Sequence, residues 1–359
     1  MQAGQRRRLT RVGVGVLVVA LVAIAGVAGV RAWREADRTS LQQALRYTST
    51  DAERFAWTDW AAVREALDVD LDASSTNQDV ADLMSAGYDA DLTSASAMGE
   101  SAEVVHDDFG FSPATVSWEL LAQATGGSVL ILGVPEDFDF ETLTRTWGAL
   151  GYQRPDSADD VWVGGDTALA RVAAGRSVSP QFSHLLMDAD RRLILAGDNE
   201  SYLRTAEKAV AGGEGGDSVD EVAATAGEAV SAILLDAEQA CRSLAMSAAD
   251  ELDQATAQDL IARAGKLNPL TGFSISAQPG GSVVVAMSFE TDEQAKVNAD
   301  TRAALASGPA PGQGGDFADR FTLGEVTASG TVVRLDLEPV AGAYVLSDLS
   351  SGPVLFATC

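Results

Sequence analysis

The chain has 359 residues, with 52 acidic against 25 basic side chains and a formal net charge of −27 at pH 7. That excess repels nucleic acid and anionic lipid headgroups, which both need a basic patch, and leaves cationic partners and metal ions as chemistry it can accept. With 46% hydrophobic residues at this length, a large core can form and global disorder is excluded.

The run VGVGVLVVALVAIAGVAGV at 12–30, from Val12 to Val30, carries no charge. It matches the ~20 apolar residues a bilayer-spanning helix needs and exceeds the h-region of about 7–15 residues in a cleaved signal. The expected organisation is a cytoplasmic tail at 1–11, a transmembrane helix at 12–33 that makes the lipid bilayer its first partner, and a polar helical stalk at 34–50. Arg6, Arg7, Arg8 and Arg11 precede the run, but Arg31, Arg34, Arg38 and Arg46 follow it. Arginine counts alone therefore do not orient the anchor. Export rests on the short tail and on the cysteines, Cys241 and Cys359. Two cysteines in an exported chain favour one bridge. It would close a loop of about 118 residues, for which chain entropy gives roughly 4–5 kcal/mol.

The body divides at the glycine-rich linker GGEGGDS, giving a first α+β lobe at 51–212, a linker at 213–219 and a second α+β lobe at 220–359. In the first lobe, FAWTDWAAVREAL places Trp60, Val63, Arg64 and Leu67 on one helical face, with Thr58 or Asp59 as N-cap. Its tryptophans suit a core anchor better than a sugar platform. The segment DVDLDASSTNQD places Asp68, Asp70, Asp72, Ser74 and Asp79 at calcium-loop spacing. It departs from that loop with Ala73 where the turn wants glycine and Asp79 where glutamate is usual, so a solvated acidic connector competes with a calcium site. Helices are expected at 78–85, stopped by Gly87, and at 94–106. Strands at 115–123 and 128–135 flank Thr125-Gly126-Gly127 as a hairpin, followed by a helix at 140–150 ending at Gly151. VWVGG is a short strand, HLLMDADRRLILAGD a second hairpin, and Asn199 caps a helix reaching Val210.

After the linker the order roughly recurs. A strand at 230–235 precedes helices at 238–247 and 249–265, a hairpin at 272–277 and 282–289, a helix at 293–306, strands at 321–327 and 331–337, and a last strand at 353–358. The expected fold is α+β: mostly antiparallel sheet with helices on one face, in two similar lobes.

FAWTDWAAVREAL, FGFSPATVSWELL, the FDFETL…LGY…VW block and the terminal SDLSSGPVLFATC resemble a family of uncharacterised membrane-anchored, extracytoplasmic proteins of actinobacteria. The likeness spans most of the chain after Tyr47. It implies an envelope setting and transfers no site residue.

His106 and His184 are the only histidines, so a serine triad would have to use one of them. His106 stands beside Asp107 and Asp108, which does not by itself define a triad. The sequence holds no G-x-S-x-G, S-x-x-K, H-E-x-x-H or Walker motif. No catalytic residue and no cofactor is therefore assigned. The leading expectation is a non-enzymatic binding, sensing or scaffold module at the cell envelope, its body outside the cytoplasm, meeting an envelope protein or polymer. The alternative is a membrane-tethered hydrolase that works on wall polymers with a pair of carboxylates.

Overall fold

The computed structural model describes residues 38–157 and 160–359. The expected anchor at 12–30 lies outside the described residues. Among those described, no helix is long and apolar enough to cross a membrane.

One antiparallel sheet of eleven strands organises the body. In chain order the first half comprises α1 (Ser40–Leu45), β1 (Arg54–Thr58), α2 (Trp60–Ala66), α3 (Asn77–Asp89), β2 (Trp118–Ala124), β3 (Gly127–Gly133), α4 (Phe140–Leu150), β4 (Trp162–Val163), α5 (Gly165–Ala173), β5 (His184–Asp188), β6 (Leu193–Gly197) and α6 (Glu200–Gly212). The second comprises α7 (Asp220–Ala226), β7 (Ser231–Asp236), α8 (Ala237–Ser243), α9 (Glu251–Ala264), β8 (Gly272–Ala277), β9 (Val283–Ser288), α10 (Asp292–Ala306), β10 (Phe321–Ser329), β11 (Val332–Pro339) and α11 (Val345–Leu349).

The sheet order is β10-β11-β9-β8-β7-β1-β2-β3-β6-β5-β4. Outward from the central β1–β7 pair, β1-β2-β3-β6-β5 matches β7-β8-β9-β11-β10, with β4 added at one edge. A helix precedes each central strand and α2 and α3, or α8 and α9, follow it; the two hairpins are separated by α4, β4 and α5 in the first half and by α10 alone in the second. The two expected lobes are thus two ends of one sheet, joined where Arg54–Thr58 pairs with Ser231–Leu235.

Side-chain alternation feeds two cores. Ala56, Ile233, Leu130 and Phe273 face α2–α5 and α8–α11, whereas Phe55, Trp57, Leu120 and Leu234 meet α1, α6 and α7. Helices on one face only were expected; the second face is covered as well. Its central strands are apolar there too, as parallel-sheet strands usually are, and need a cover.

Four local expectations change. Residues 40–45 do not stand off as a stalk, because Leu41, Ala44 and Leu45 are buried beside Phe55 and Trp57. Gly87 does not stop α3, which runs on to Asp89. It is glycine because a Cβ there would lie 2.5 Å from Thr93 Cγ2. The expected helix at 94–106 begins only at Gly99, with a 3-10 turn followed by Ala102–Val104 and a π-turn at Val105–Phe109. Its early amides go elsewhere: Ala97 N–H to the Glu119 carboxylate and Met98 N–H to Ser96 Oγ. The last segment forms a 3-10 turn, Leu355–Ala357, and no strand. The linker also packs closely, since Gly215 lies against Thr48, where a Cβ would come within 2.1 Å of its carbonyl oxygen.

Candidate functional site

An open cleft of about 550 Å³ lies between the end of α2, the turn at 71–73, residues 110–115 and the start of α4. Leu71, Phe138, Ala114 and Pro135 supply apolar walls, and Arg64, Asp72, Asp137 and Asp139 supply charge. Most of these polar groups already serve the fold. Asp139 caps α4, accepting from Thr142 N at 3.0 Å. Asp72 accepts from Ser74 N and Ser74 Oγ, both at 2.7 Å. These hydrogen bonds, with the hydroxyl bond first in weight, hold both carboxyls below the ordinary range. The Arg64 guanidinium donates to the carbonyls of Pro113 and Val116.

Arg64 has a counterpart. Asp59 caps α2 and Asp236 caps α8, in matching positions after the central strands. Five residues beyond each cap stand Arg64 and Cys241. Arg64 clasps the segment that enters β2, and Cys241 forms the disulfide to Cys359, with the Cα atoms 5.4 Å apart.

The segment ending in Cys359 has a second fastening. Arg302 on α10 is fully buried, and among the described residues no carboxylate pairs with it. It donates to Phe356 O at 2.6 Å, Thr358 O at 3.1 Å, Asn268 O at 2.8 Å and Asn298 Oδ1 at 3.1 Å. Its guanidinium lies 5.3 Å from the Phe289 ring centroid. Burial pushes its pKa down to about 9, which still leaves it protonated at neutral pH. Met246 N–H donates to Thr358 Oγ1 at 3.0 Å and Val354 N–H to Leu244 O at 3.0 Å.

The calcium-spaced residues are placed as follows. Asp79 turns back to accept from Thr76 N and Thr76 Oγ1, both at 2.7 Å, completing the capping box of α3. Asp72 and Ser74 bond to each other. Asp68 is exposed and has φ of 53°, and Asp70 is exposed too. Among the described residues, no group of three or more His, Cys, Asp or Glu side chains is arranged to hold a metal ion.

His106 does meet a serine: its Nδ1 lies 2.9 Å from Ser112 Oγ and its Nε2 2.7 Å from Ser75 O. The carbonyl can only accept, so Nε2 carries the proton and Nδ1 accepts from Ser112. The third partner is a peptide oxygen where a triad has a carboxylate. Ser112 is fully buried, so no substrate carbonyl can reach its oxygen. Asp107 and Asp108 pair with Arg176.

Two carboxyls that the sequence did not single out are the most perturbed acids. Glu119, on β2 opposite Thr58, is buried, and burial raises it to about 7. It accepts from Ala97 N at 2.8 Å and Trp60 Nε1 at 3.2 Å. Asp91 is raised by burial to about 6 and accepts from Leu346 N at 2.6 Å and Ser347 N at 3.1 Å, capping α11 of the other half. The only sequence signal for Glu119 is that it is the one charge in its strand, WELLAQA; Asp91 gives none. Both carboxyls are enclosed and bind backbone amides, an arrangement that holds structure together.

No protein-family profile matches the chain, and no curated protein matches it. Among solved structures, one titled "Structure of crystal form I of TP0453" is similar at 8% identity, covering 85% of this chain and 96% of that one, with a TM-score of 0.39.

Proposed function

We propose that this chain is a single-pass membrane protein, anchored through residues 12–30, whose acidic α+β body lies outside the cytoplasm as a non-enzymatic binding or scaffold module of the cell envelope. The observation that carries the reading is the Cys241–Cys359 disulfide, since such bridges persist in oxidising compartments. The net charge of −27 supports a cationic surface on an envelope protein or polymer as the partner. The non-enzymatic part rests on the groups catalysis would need. The Ser112–His106 pair is sealed, and the raised carboxyls of Glu119 and Asp91 are bound to backbone amides.

The test is labelling of intact cells with a membrane-impermeant thiol reagent. The expected result is no labelling before reduction and labelling of both cysteines after an impermeant reductant. Thiols that react only after lysis, and without reductant, would overturn the topology. Turnover of a wall polymer by the purified full chain, abolished by a carboxylate substitution, would overturn the non-enzymatic reading.

A further inference from the structure

The two ends of the sheet are finished differently. In the first half β5 pairs on its outer side with β4, Trp162 opposite Leu185 and Val163 opposite His184. Beyond β4 the single bridge between Gln153 and Val163 follows, so that edge tapers away. Trp162 is buried there, its ring 5.8 Å from that of Trp147. β10 holds the matching place in the second half, and among the described residues no strand lies beyond it. It is nine residues long and carries one charge, Glu325. Sheets ordinarily shorten, charge or cover an edge of this length, because its unpaired N–H and C=O groups are a template for another chain.

The open backbone groups follow from the register. Val340 N–H donates to Arg320 O at 2.8 Å, which makes Arg320 and Val340 a hydrogen-bonded pair. Alternation then turns the N–H and C=O of Leu323 away from β11. The turn at Gly330–Thr331 closes on Ser329 and Val332, and the same alternation turns Val326 and Ala328 outward. The side chains of these three residues are half-buried against the main core. On the opposite face Thr322 stands across from Glu338, and both are exposed. Between the two stretches Gly324 and Glu325 form a bulge opposite Asp336. β10 and β11 together hold three acids and one base, and that base, Arg334, pairs with Asp336 at 2.7 Å.

We propose that the outer edge of β10 is where an extended, basic segment of a partner protein docks as an added strand, a contact that rests on the reading of the body as a binding module with a cationic partner and gives that partner its place.

The occupant fits β10 as β4 fits β5. Backbone pairing along Leu323, Val326 and Ala328 holds it, an apolar side chain covers the side facing α10, and lysine or arginine meets Glu325 and Glu338. The bulge and its carboxylate keep the edge from pairing indiscriminately, so charge selects the occupant. A second copy of this chain fits less well. Each copy carries −27, and two antiparallel β10 strands would bring their Glu325 carboxylates toward each other, where like charges destabilise the pairing.

Hydrogen exchange on the purified full chain, with a peptide of about ten alternating valines and lysines at about 1 mM, tests the site. Exchange at Leu323, Val326 and Ala328 should slow at least about tenfold, with β8 and β9 unchanged; the same peptide with glutamate for lysine should have no effect. Val326→Pro removes an outward N–H without touching the β10–β11 ladder, as edge strands tolerate, and should abolish the slowing at Leu323 and Ala328. Glu325→Lys, at an exposed position, should weaken binding several-fold and decides the matter if the proline variant does not fold. No slowing in the wild type, or undiminished binding by either folded variant, overturns the proposal. Protection of the edge before peptide is added overturns it as well: protection that grows with protein concentration assigns the edge to a second copy, and protection independent of concentration assigns it to the chain itself. Thiol labelling of intact cells reads the topology separately, so loss of this site leaves the envelope setting standing, and a cytoplasmic topology leaves peptide binding at β10 to be measured.

Discussion

Arg302→Met removes a donor and leaves its acceptors where they are. The carbonyls of Asn268, Phe356 and Thr358 lose the guanidinium, whereas Asn298 Oδ1 keeps the Asn268 amide at 3.1 Å. A buried acceptor left without a donor costs about 1–3 kcal/mol. Three such losses are offset in part because the desolvation penalty of a buried cation disappears with it. The balance is about 3 kcal/mol, near the low end for breaking a buried charged network. Urea unfolding of the oxidised protein, followed by tryptophan fluorescence, measures it; with a slope near 3 kcal/mol/M the midpoint should fall by about 1 M. Arg302→Lys keeps the charge but concentrates its donors on one nitrogen, so it should recover less than half of the loss. A loss below 1 kcal/mol for methionine, or a wild-type midpoint for lysine, refutes the claim that the guanidinium fork holds the C-terminal segment.

Glu119 makes global stability depend on pH. Its folded pKa of about 7 stands above the ordinary 4.5, so its contribution is complete below pH 4.5 and is lost as the pH rises through 7, by on the order of 3 kcal/mol. E119Q should flatten that part of the stability profile in denaturant titrations run from pH 4 to pH 8; a profile as steep as the wild type's counts against it. Reducing the Cys241–Cys359 bridge should lower stability by about 4–5 kcal/mol without releasing the C-terminal segment, because Arg302 still holds it; calorimetry with and without reductant reads the first part and exchange at 354–358 the second. Gly87→Ala should destabilise by about 1–3 kcal/mol despite alanine's better helix propensity, since the new methyl meets Thr93; a gain in melting temperature refutes the close approach. Thr58→Val keeps the shape and deletes a buried hydroxyl without a partner, so melting should be unchanged or raised; a loss above 1 kcal/mol would show that the hydroxyl has a role.

Local chemistry was legible in the sequence where one residue decides one event. Asp59, Asn199 and Gly151 mark helix ends as expected, and Thr125-Gly126-Gly127 turns the chain between β2 and β3. The Cys241–Cys359 pairing follows from there being two cysteines. What escaped is whatever depends on a partner far along the chain. Gly87 resembles a stop until Thr93 is seen against it. PVLFAT alternates well enough for a strand, yet its carbonyls are taken by Arg302, 54 and 56 positions away. Three helices cover the second face because β1, β2 and β7 are apolar on both sides, and alternation in a five-residue strand is too short to reveal that. Glu119 and Asp91 became notable only through burial, which no spacing encodes. Of the calcium-spaced acids, Asp72 serves hydrogen bonds within its own turn and Asp79 the cap of α3, whereas Asp68 and Asp70 are exposed.

The pairing of β1 with β7 bears on how the protein is made. Arg54–Thr58 emerges from the ribosome some 180 residues before Ser231–Asp236, and at about 5–20 residues per second the wait is on the order of ten to forty seconds. During that interval β1 can pair with β2 on one side, while the backbone groups of its other edge have no strand to meet. An open strand edge of this kind, in a strand with apolar faces, recruits other chains. Nascent chains truncated before residue 231 are therefore the species most prone to aggregate and most in need of a chaperone. Splitting the protein at 213–219 would not yield two independent pieces: each fragment would present half of the same central ladder, and the two should recombine when mixed.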